Sequence, residues 1–543
     1  MSRLTAFIGC IGAAGFLLCL GAAPHTQNVD APQTQTSAHS ATTNIAAPSQ
    51  AVDRTHWYII TLNNVPTGWT RLQTKTIPEG FRTETQTRLR MAREKQILSM
   101  TSTSWIEEDA AGRPLRGGQT QAGGGMSVRV AWEFVEDGIR ERRTQGATVK
   151  ERILPAIDKK ALAPMAALRA GQGARAEGKS DFTLLTIDPA QGLQTQLNRW
   201  EKIDESAAVI DGKSVACTRW RTSGPMIAKG SEEWINAAGE TVLSQTPTGL
   251  GVLKNVMCDE PTALAALDDA KPPVEVMVAS FVKVDHALSD VSTKRTLTLL
   301  VKAKKPPIMP PPQEGFQRVV RNSDGSFKVT IDLDMPAEQS LASVATDAVF
   351  MESSPMVDWN DPVVIALKDK ALEQWKSQIK TKNKATIPDK NDPDFAANTL
   401  QKAKVFRSAV ANHITNQNLG SAFASASETA QNKSGDCTEY AVLLAALLRA
   451  DGIPSRVAAG LVWAEYFAGE KNVFAWHLWT QAFIDGRWID LDATLPPGEE
   501  SFHVGHVLLA VTPLTDAASD PAWSSLLTSM GNLSIEVSGG PNK

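Results

Sequence analysis

Residues 434–454 read Ser434-Gly435-Asp436-Cys437-Thr438-Glu439-Tyr440-Ala441-Val442-Leu443-Leu444-Ala445-Ala446-Leu447-Leu448-Arg449-Ala450-Asp451-Gly452-Ile453-Pro454. Asp436 and Glu439 have the spacing of a capping box, with Asp436 as N-cap and Glu439 at the third helical position. Gly452 and Pro454 supply the stop. Leu443, Leu444, Leu447 and Leu448 recur at helical spacing and predict one buried face. Cys437 therefore starts a helix. A thiol there faces the positive end of the helix dipole and unpaired backbone N–H groups, both of which favour the thiolate. The charge of Asp436 opposes this unless the cap engages it. Alone, Cys437 also reads as a buried structural cysteine, because a free thiol packs like a small hydrophobe.

Residues 472–494 read as strand, turn, strand. Asp485-Gly486 is a two-residue hairpin signal. If these two form the loop, Ile484 pairs with Arg487, Trp479 with Asp492 and His477 with Thr494. Side chains alternate along a strand, so His477 and Trp479 share one face. Asp492 lies on that face, diagonal to His477 and within side-chain reach. Asp490 is two residues further away, so the register favours Asp492 as the partner. A thiol at a helix start, with a strand histidine held by an aspartate, has the groups acyl transfer needs. The imidazole takes the thiol proton and later protonates a leaving amine. The carboxylate fixes the tautomer and stabilises the imidazolium. The candidate catalytic residues are Cys437, His477 and Asp492.

These segments resemble the transglutaminase-like superfamily. Gly435–Glu439 with Leu447–Arg456 looks like its cysteine helix. His477-Leu478-Trp479 with Asp485–Thr494 looks like its histidine–aspartate hairpin. The family commonly has Ala after the histidine and Pro after the aspartate. Leu478 and Ala493 stand there instead, and neither change touches a reacting group. The resemblance covers roughly residues 345–520. It implies an α+β, papain-like fold and thiol acyl chemistry, as a peptidase, an amidase or a protein cross-linking enzyme. It also implies an oxyanion site made from the Cys437 backbone N–H and a second donor. Trp463 and Trp476 carry N–H groups nearby, but both read as packing residues.

The 543 residues exceed one core, and at roughly 150 residues per domain they predict about three units. With 42 % hydrophobic and 21 % charged residues the composition is globular. A formal net charge of −4 gives no argument for nucleic acid or an anionic surface. Arg3, the apolar run Ala6–Leu20 and the small residues Gly21, Ala22 and Ala23 predict a signal peptide over 1–22. Cys19 lacks the small preceding residue that lipidation wants. Residues 23–54 are Thr-, Ser-, Ala- and Gln-rich and predict a disordered tether.

Residues 55–262 carry repeated strand-like runs such as His56–Leu62 and Met126–Val135, and predict an antiparallel β-rich domain. Residues 263–344 add a β segment and a connection, Lys302–Gly315, stiffened by five prolines. Asp324-Gly325 before Ser326–Ile331 predicts a hairpin. Residues 345–543 form the transglutaminase-like unit, with helices over Pro362–Ile379 and Asn398–Thr415.

Of five cysteines, Cys10 and Cys19 fall in the signal. Cys217 and Cys258 are close enough in sequence to pair, which would leave Cys437 alone. His503 and His506 read as loop or surface residues. No metal, cofactor or phosphate site is predicted, and Asp358, Asn360 and Asp361 do not complete a calcium loop. No later run approaches the ~20 apolar residues of a span. The expectation is an exported protein, periplasmic or extracellular, acting on a protein or peptide. The alternative is a catalytically silent scaffold whose β domain binds a substrate or the envelope.

Overall fold

The computed structural model describes residues 53–537, apart from 94–95, 124–125, 146–147, 194, 225–226, 269–271, 285–286, 305–309, 339–346, 383–394, 419–423, 498–500, 515–525 and 527–528. The expected signal peptide and tether lie outside the described residues. The structure is β-rich, with 52 % strand against six helices among the described residues, so those helices are set into a frame built of sheets. No helix among the described residues is long and apolar enough to cross a membrane.

Residues 54–258 build one long antiparallel sheet. Its order runs from an edge strand, Thr148–Leu154, back strand by strand to Arg54–Leu62. That first strand pairs with Gly251–Cys258, and the order then runs down to the other edge strand, Asp181–Ile187. Two hairpin ladders are thus zipped together by the first and last strands. Alternation dictates which face is apolar: in Gly80–Arg93, Phe81, Leu89 and Met91 are buried while their neighbours are exposed or half-buried. Cross-strand charges tie the more polar rows together, Arg71 to Glu84 at 2.8 Å and Arg82 to Glu107 at 3.0 Å, and Arg82 also meets Glu84 along its own strand. Helix Pro164–Ala176 links the two edge strands. Its N-cap, Ala163, offers no side-chain acceptor. Glu108 does so instead, accepting from the Met165 and Ala166 N–H groups at 2.9 Å each.

Cys217 and Cys258 are both free thiols. Their strands are separated by two others, a span of roughly 14 Å at normal strand spacing, so no disulfide can close.

Among the described residues, the second half holds two smaller sheets and a two-stranded pair, Asn416–Gln417 with Ser434–Gly435. In one, Thr296–Ala303 lies between Phe327–Asp332 and Leu533–Val537. The Asn322–Ser326 turn closes the expected hairpin. Lys302 is therefore a strand residue, paired to Glu536 at 2.8 Å, rather than the start of the connection expected over Lys302–Gly315. In the other, Glu470–Ile484 lies between Ser455–Phe467 and Arg487–Leu491, and His506–Thr512 adds to the far side of Ser455–Phe467. Helices Pro362–Lys382, Phe395–His413 and Ala426–Asn432 surround helix Cys437–Ala450.

Every residue of that last helix from Cys437 to Arg449 is buried. The expectation of one buried face was too narrow. Alanines at 441, 445 and 446 make its remaining faces small enough to be packed over as well. The helix is the centre of the unit, and sheets and helices are laid around it.

The core is continuous across the chain. Ile60, Leu62, Leu89, Met91, Leu98, Met100 and Leu253 of the large sheet belong to the same apolar cluster as Leu443, Leu447 and Trp479.

Arg407, 2 % exposed, is a key tie in this half. Its Nε donates to the Asp492 carbonyl at 2.9 Å, and one Nη donates to the Leu495 and Pro496 carbonyls at 2.9 and 3.1 Å. Arg407→Met would strip the cation from three carbonyls. We expect a loss of about 3 kcal/mol in urea unfolding, at the upper end for hydrogen bonds to a charged group. A loss below about 0.5 kcal/mol, the range of an ordinary surface change, would show that the tie contributes nothing.

Candidate active site

The cap predicted around Cys437 is present in full. The Asp436 carboxylate accepts from the Thr438 N–H at 3.0 Å, and the Glu439 carboxylate accepts from the Asp436 N–H at 2.8 Å. Cys437 is the first helical residue. The approach to the cap is set by Gly435, where an added Cβ would lie 2.4 Å from the Glu439 Cβ. Only glycine lets the incoming chain run that close to the helix. Glu439 is fully buried. Burial first, and the Asp436 charge second, push its carboxyl well above the usual range.

The hairpin register is the one its two-residue loop requires: Ile484 opposite Arg487, and onward to Thr480 opposite Leu491. Strand pairing stops there, and Asp492 turns off the end of the strand. Its Oδ2 meets His477 Nε2 at 2.8 Å. Asp490, the competing acid, shares this face but is engaged further along it. It accepts from Trp479 Nε1 at 2.8 Å and Gln481 Nε2 at 2.7 Å, and so anchors the ring that stacks on His477.

Asp492 is held at every polar atom. Its Oδ1 accepts from the Thr494 N–H at 2.8 Å and the Thr494 hydroxyl at 2.6 Å. Its own N–H donates to the Ser501 carbonyl at 2.7 Å. Its Oδ2 is shared with a second histidine, His506, whose Nε2 lies 3.0 Å away. The other nitrogen of His506 meets the His503 carbonyl at 2.9 Å.

The surface reading of His506 is corrected here: it is 1 % exposed and stacked on Phe502. The available signal was the apolar run Val507–Val511, which marks a buried strand that His506 opens. What seats that strand is Gly460. It pairs with His477 on one side and Leu508 on the other, beside a bulge. An added Cβ there would come within 1.9 Å of the Val507 carbonyl oxygen.

His477, Asp492 and His506 present three ligand atoms within 4.8 Å of one another, a set able to hold a cation. The distances found, 2.8 and 3.0 Å from each imidazole to one carboxylate oxygen, are those of direct hydrogen bonds.

With Nε2 committed to Asp492, Nδ1 is the ring nitrogen left for the thiol. It is buried and makes no hydrogen bond of ordinary geometry. Cys437 nevertheless couples to this ring by charge and by hydrogen bonding. Long, poorly aligned contacts are usual in an unliganded site. Burial disfavours the charged imidazole, but Asp492 and then Cys437 outweigh it and raise the ring to about 10. Asp492 moves the opposite way. Its burial penalty is overcome by the His477 charge and by bonds from both histidines, which hold it well below the usual carboxylate range.

Cys437 is 0 % exposed, and His477 and Asp492 are each 1 % exposed. The trio is assembled but covered. Of the two indoles considered as donors to an oxyanion, Trp476 is already engaged, donating to the Ser280 carbonyl at 3.0 Å, and Trp463 packs edge-on against Phe474.

Residues 390–493 match the family model of the transglutaminase-like superfamily. No curated protein sequence matches the chain. Two solved structures show a distant likeness. One, from Cytophaga hutchinsonii and named provisionally as a cysteine protease, is 17 % identical and covers 46 % of this chain and 89 % of its own, with a TM-score of 0.26. The other, from Parabacteroides distasonis ATCC 8503 and named provisionally as a protease, is 12 % identical and covers 72 % of this chain and 68 % of its own, with a TM-score of 0.16. Likeness at that level fixes neither fold nor activity.

The paired shifts set a pH dependence. A base whose folded pKa is raised stabilises the fold fully below its ordinary value and loses that contribution as pH rises to the folded value. A depressed carboxylate contributes above its ordinary value and is lost only in strong acid. The stability difference between the parent and His477→Gln should therefore be greatest at about pH 5 to 6 and shrink from about pH 7 to 10. Urea melts across that range measure it, and a difference that widened with pH would overturn the raised imidazole.

Proposed function

We propose that this chain is an exported thiol enzyme of transglutaminase-like type, acting on protein or peptide amides through an acyl-enzyme on Cys437. One observation carries the reading. A buried Asp492–His477 pair, bonded through Nε2, leaves Nδ1 for a sulfur at a helix N-terminus. The superfamily match over residues 390–493 supports it. So does the arrangement itself. A central cysteine helix packs on the antiparallel strands that carry the histidine and lead to the aspartate, which fits a papain-like α+β plan.

The chemistry follows from these positions. The imidazole holds the thiol proton, and the thiolate at the helix end attacks an amide carbonyl. The tetrahedral oxyanion forms beside the Cys437 backbone N–H. As the intermediate collapses, His477 gives its proton to the leaving amine, and the acyl group stays on sulfur as a thioester. Water, or a second amine, then takes the acyl group while the imidazole accepts its proton. Asp492 keeps its charge throughout, and its bonds to Thr494 and His506 stop it from turning away from the ring. Because the thiol is covered, turnover requires displacement of whatever lies over it.

That same burial favours a second reading, a catalytically silent scaffold whose β sheet does the binding. Iodoacetamide labelling near neutral pH separates the two. An enzyme should show Cys437 labelled rapidly, with a thiol pKa well below the reference of about 8.5. Slow labelling with an ordinary pKa would favour the scaffold.

If the enzyme reading holds, Cys437→Ser and His477→Ala should each lower amide turnover by on the order of 10³-fold or more, and Asp492→Asn by at least about 10²-fold, through the wrong tautomer. Near-wild-type turnover in any of the three would overturn the assigned roles. Mass spectrometry of the products, with and without an added primary amine, separates hydrolysis from cross-linking.

A further inference from the structure

The helix carrying Cys437 has a charge problem at its tip. Asp436, the N-cap, is 4 % exposed, and Glu439 is fully buried one turn on. Either carboxylate, if ionised and unanswered, would raise the free energy of a thiolate at Cys437. Among the described residues, other titratable groups near the helix tip are Tyr440, one turn along the helix and within reach of the Asp492 charge, and the set of His477 with Asp492 and His506 behind it. Those three are bound to each other and do not touch Asp436. The answering charge comes from 343 residues earlier in the chain. Arg93 Nη2 lies 2.9 Å from Asp436 Oδ2, and the two side chains are 1 % and 3 % exposed.

The placement of Arg93 follows from the sheet. It ends the strand Gly80–Arg93, paired to Gln96. Met91 and Ala92 just before it are paired to Val274 and Glu275, and Met91 is part of the common core. This fixes the strand end against the second half of the molecule and delivers a guanidinium to the cap. The two Asp436 oxygens then divide their work. Oδ1 caps the helix through the Thr438 N–H, and Oδ2 takes Arg93.

We propose that Arg93 of the N-terminal sheet is a positioning residue of the Cys437 site, neutralising the N-cap carboxylate so that the helix tip favours the thiolate. On this view the sheet is a working part of the site, and the cysteine unit alone would carry a poorer nucleophile. The proposal rests on the reading of Cys437 as a nucleophile.

The test is a thiolate titration by absorbance near 240 nm on the full chain, taken as a difference against Cys437→Ser so that the other thiols cancel. No access to the sulfur is needed. Arg93→Gln should raise the Cys437 pKa by about one pH unit or more, and Arg93→Lys should restore most of the shift. Asp436→Asn, which keeps a capping oxygen, should lower it, because a negative charge is then removed from beside the sulfur. Arg93→Gln combined with Asp436→Asn should return close to the parent.

Arg93→Gln leaves a buried carboxylate unpaired and can fail to fold. In that case the double variant, which has no carboxylate left unpaired, carries the test: its Cys437 pKa should lie about one pH unit or more above that of Asp436→Asn alone, and no difference between the two overturns the proposal. An unchanged pKa in Arg93→Gln, or in Asp436→Asn, overturns it. So does a raised pKa in Arg93→Gln that Arg93→Lys does not restore. The difference between variant and parent decides the role of Arg93, whereas the absolute value in the parent decides whether Cys437 is a nucleophile at all. The two failures are therefore distinguishable.

Discussion

The arrangement of the site depends on one buried carboxylate. Asp492 carries its charge at 1 % exposure, where an isolated anion would be prohibitively unfavourable. It persists because four hydrogen bonds converge on its two oxygens, two from Thr494 and one from each of two histidines. Its backbone is fixed as well, by Ser501 on the N–H and Arg407 on the carbonyl. A group tied this fully cannot adjust to its neighbours, so they are positioned by it. The orientation of His477, the docking of the His506 strand and the path of the chain after the hairpin all follow from satisfying it.

A second constraint is the depth of the cysteine helix. Helix tips are good places for a thiolate because their N–H groups are unpaired, but those groups usually face water. Here the tip is covered, so the charges near it must balance within the protein. Arg93, Asp436 and Glu439 form that balance, with Glu439 pushed toward its neutral form by burial. A low local dielectric makes each of these interactions stronger and makes any imbalance more costly.

What could be read in the sequence was what local rules govern. The capping-box spacing placed the helix start at Cys437. The two-residue loop at Asp485-Gly486 fixed a register that preferred Asp492 to Asp490, because the two acids share a face and Asp490 lies two residues further from His477. Alternating patterns marked residues 55–262 as β. What could not be read depends on contacts between distant segments. Arg93 looks like any strand-end arginine until the sheet is seen to end against the cap. His506 stands between a glycine and an apolar run, and its depth depends on a bulge at Gly460 that no pattern announces. The zipping of the sheet by its first and last strands leaves no trace in composition. The all-round burial of the cysteine helix was hidden because alanine serves on exposed and enclosed faces alike.

The shared apolar cluster gives the molecule a mechanical character. Leu89 and Met91 of the large sheet and Leu443 of the cysteine helix sit in one continuous interior, without a watery seam between them. Halves joined in this way do not hinge freely, and neither can shed the other without wetting its own interior. The sheet and the helical half should therefore melt as one cooperative block. Evolution could not easily have exchanged the front half for another module, as it does where domains are strung like beads.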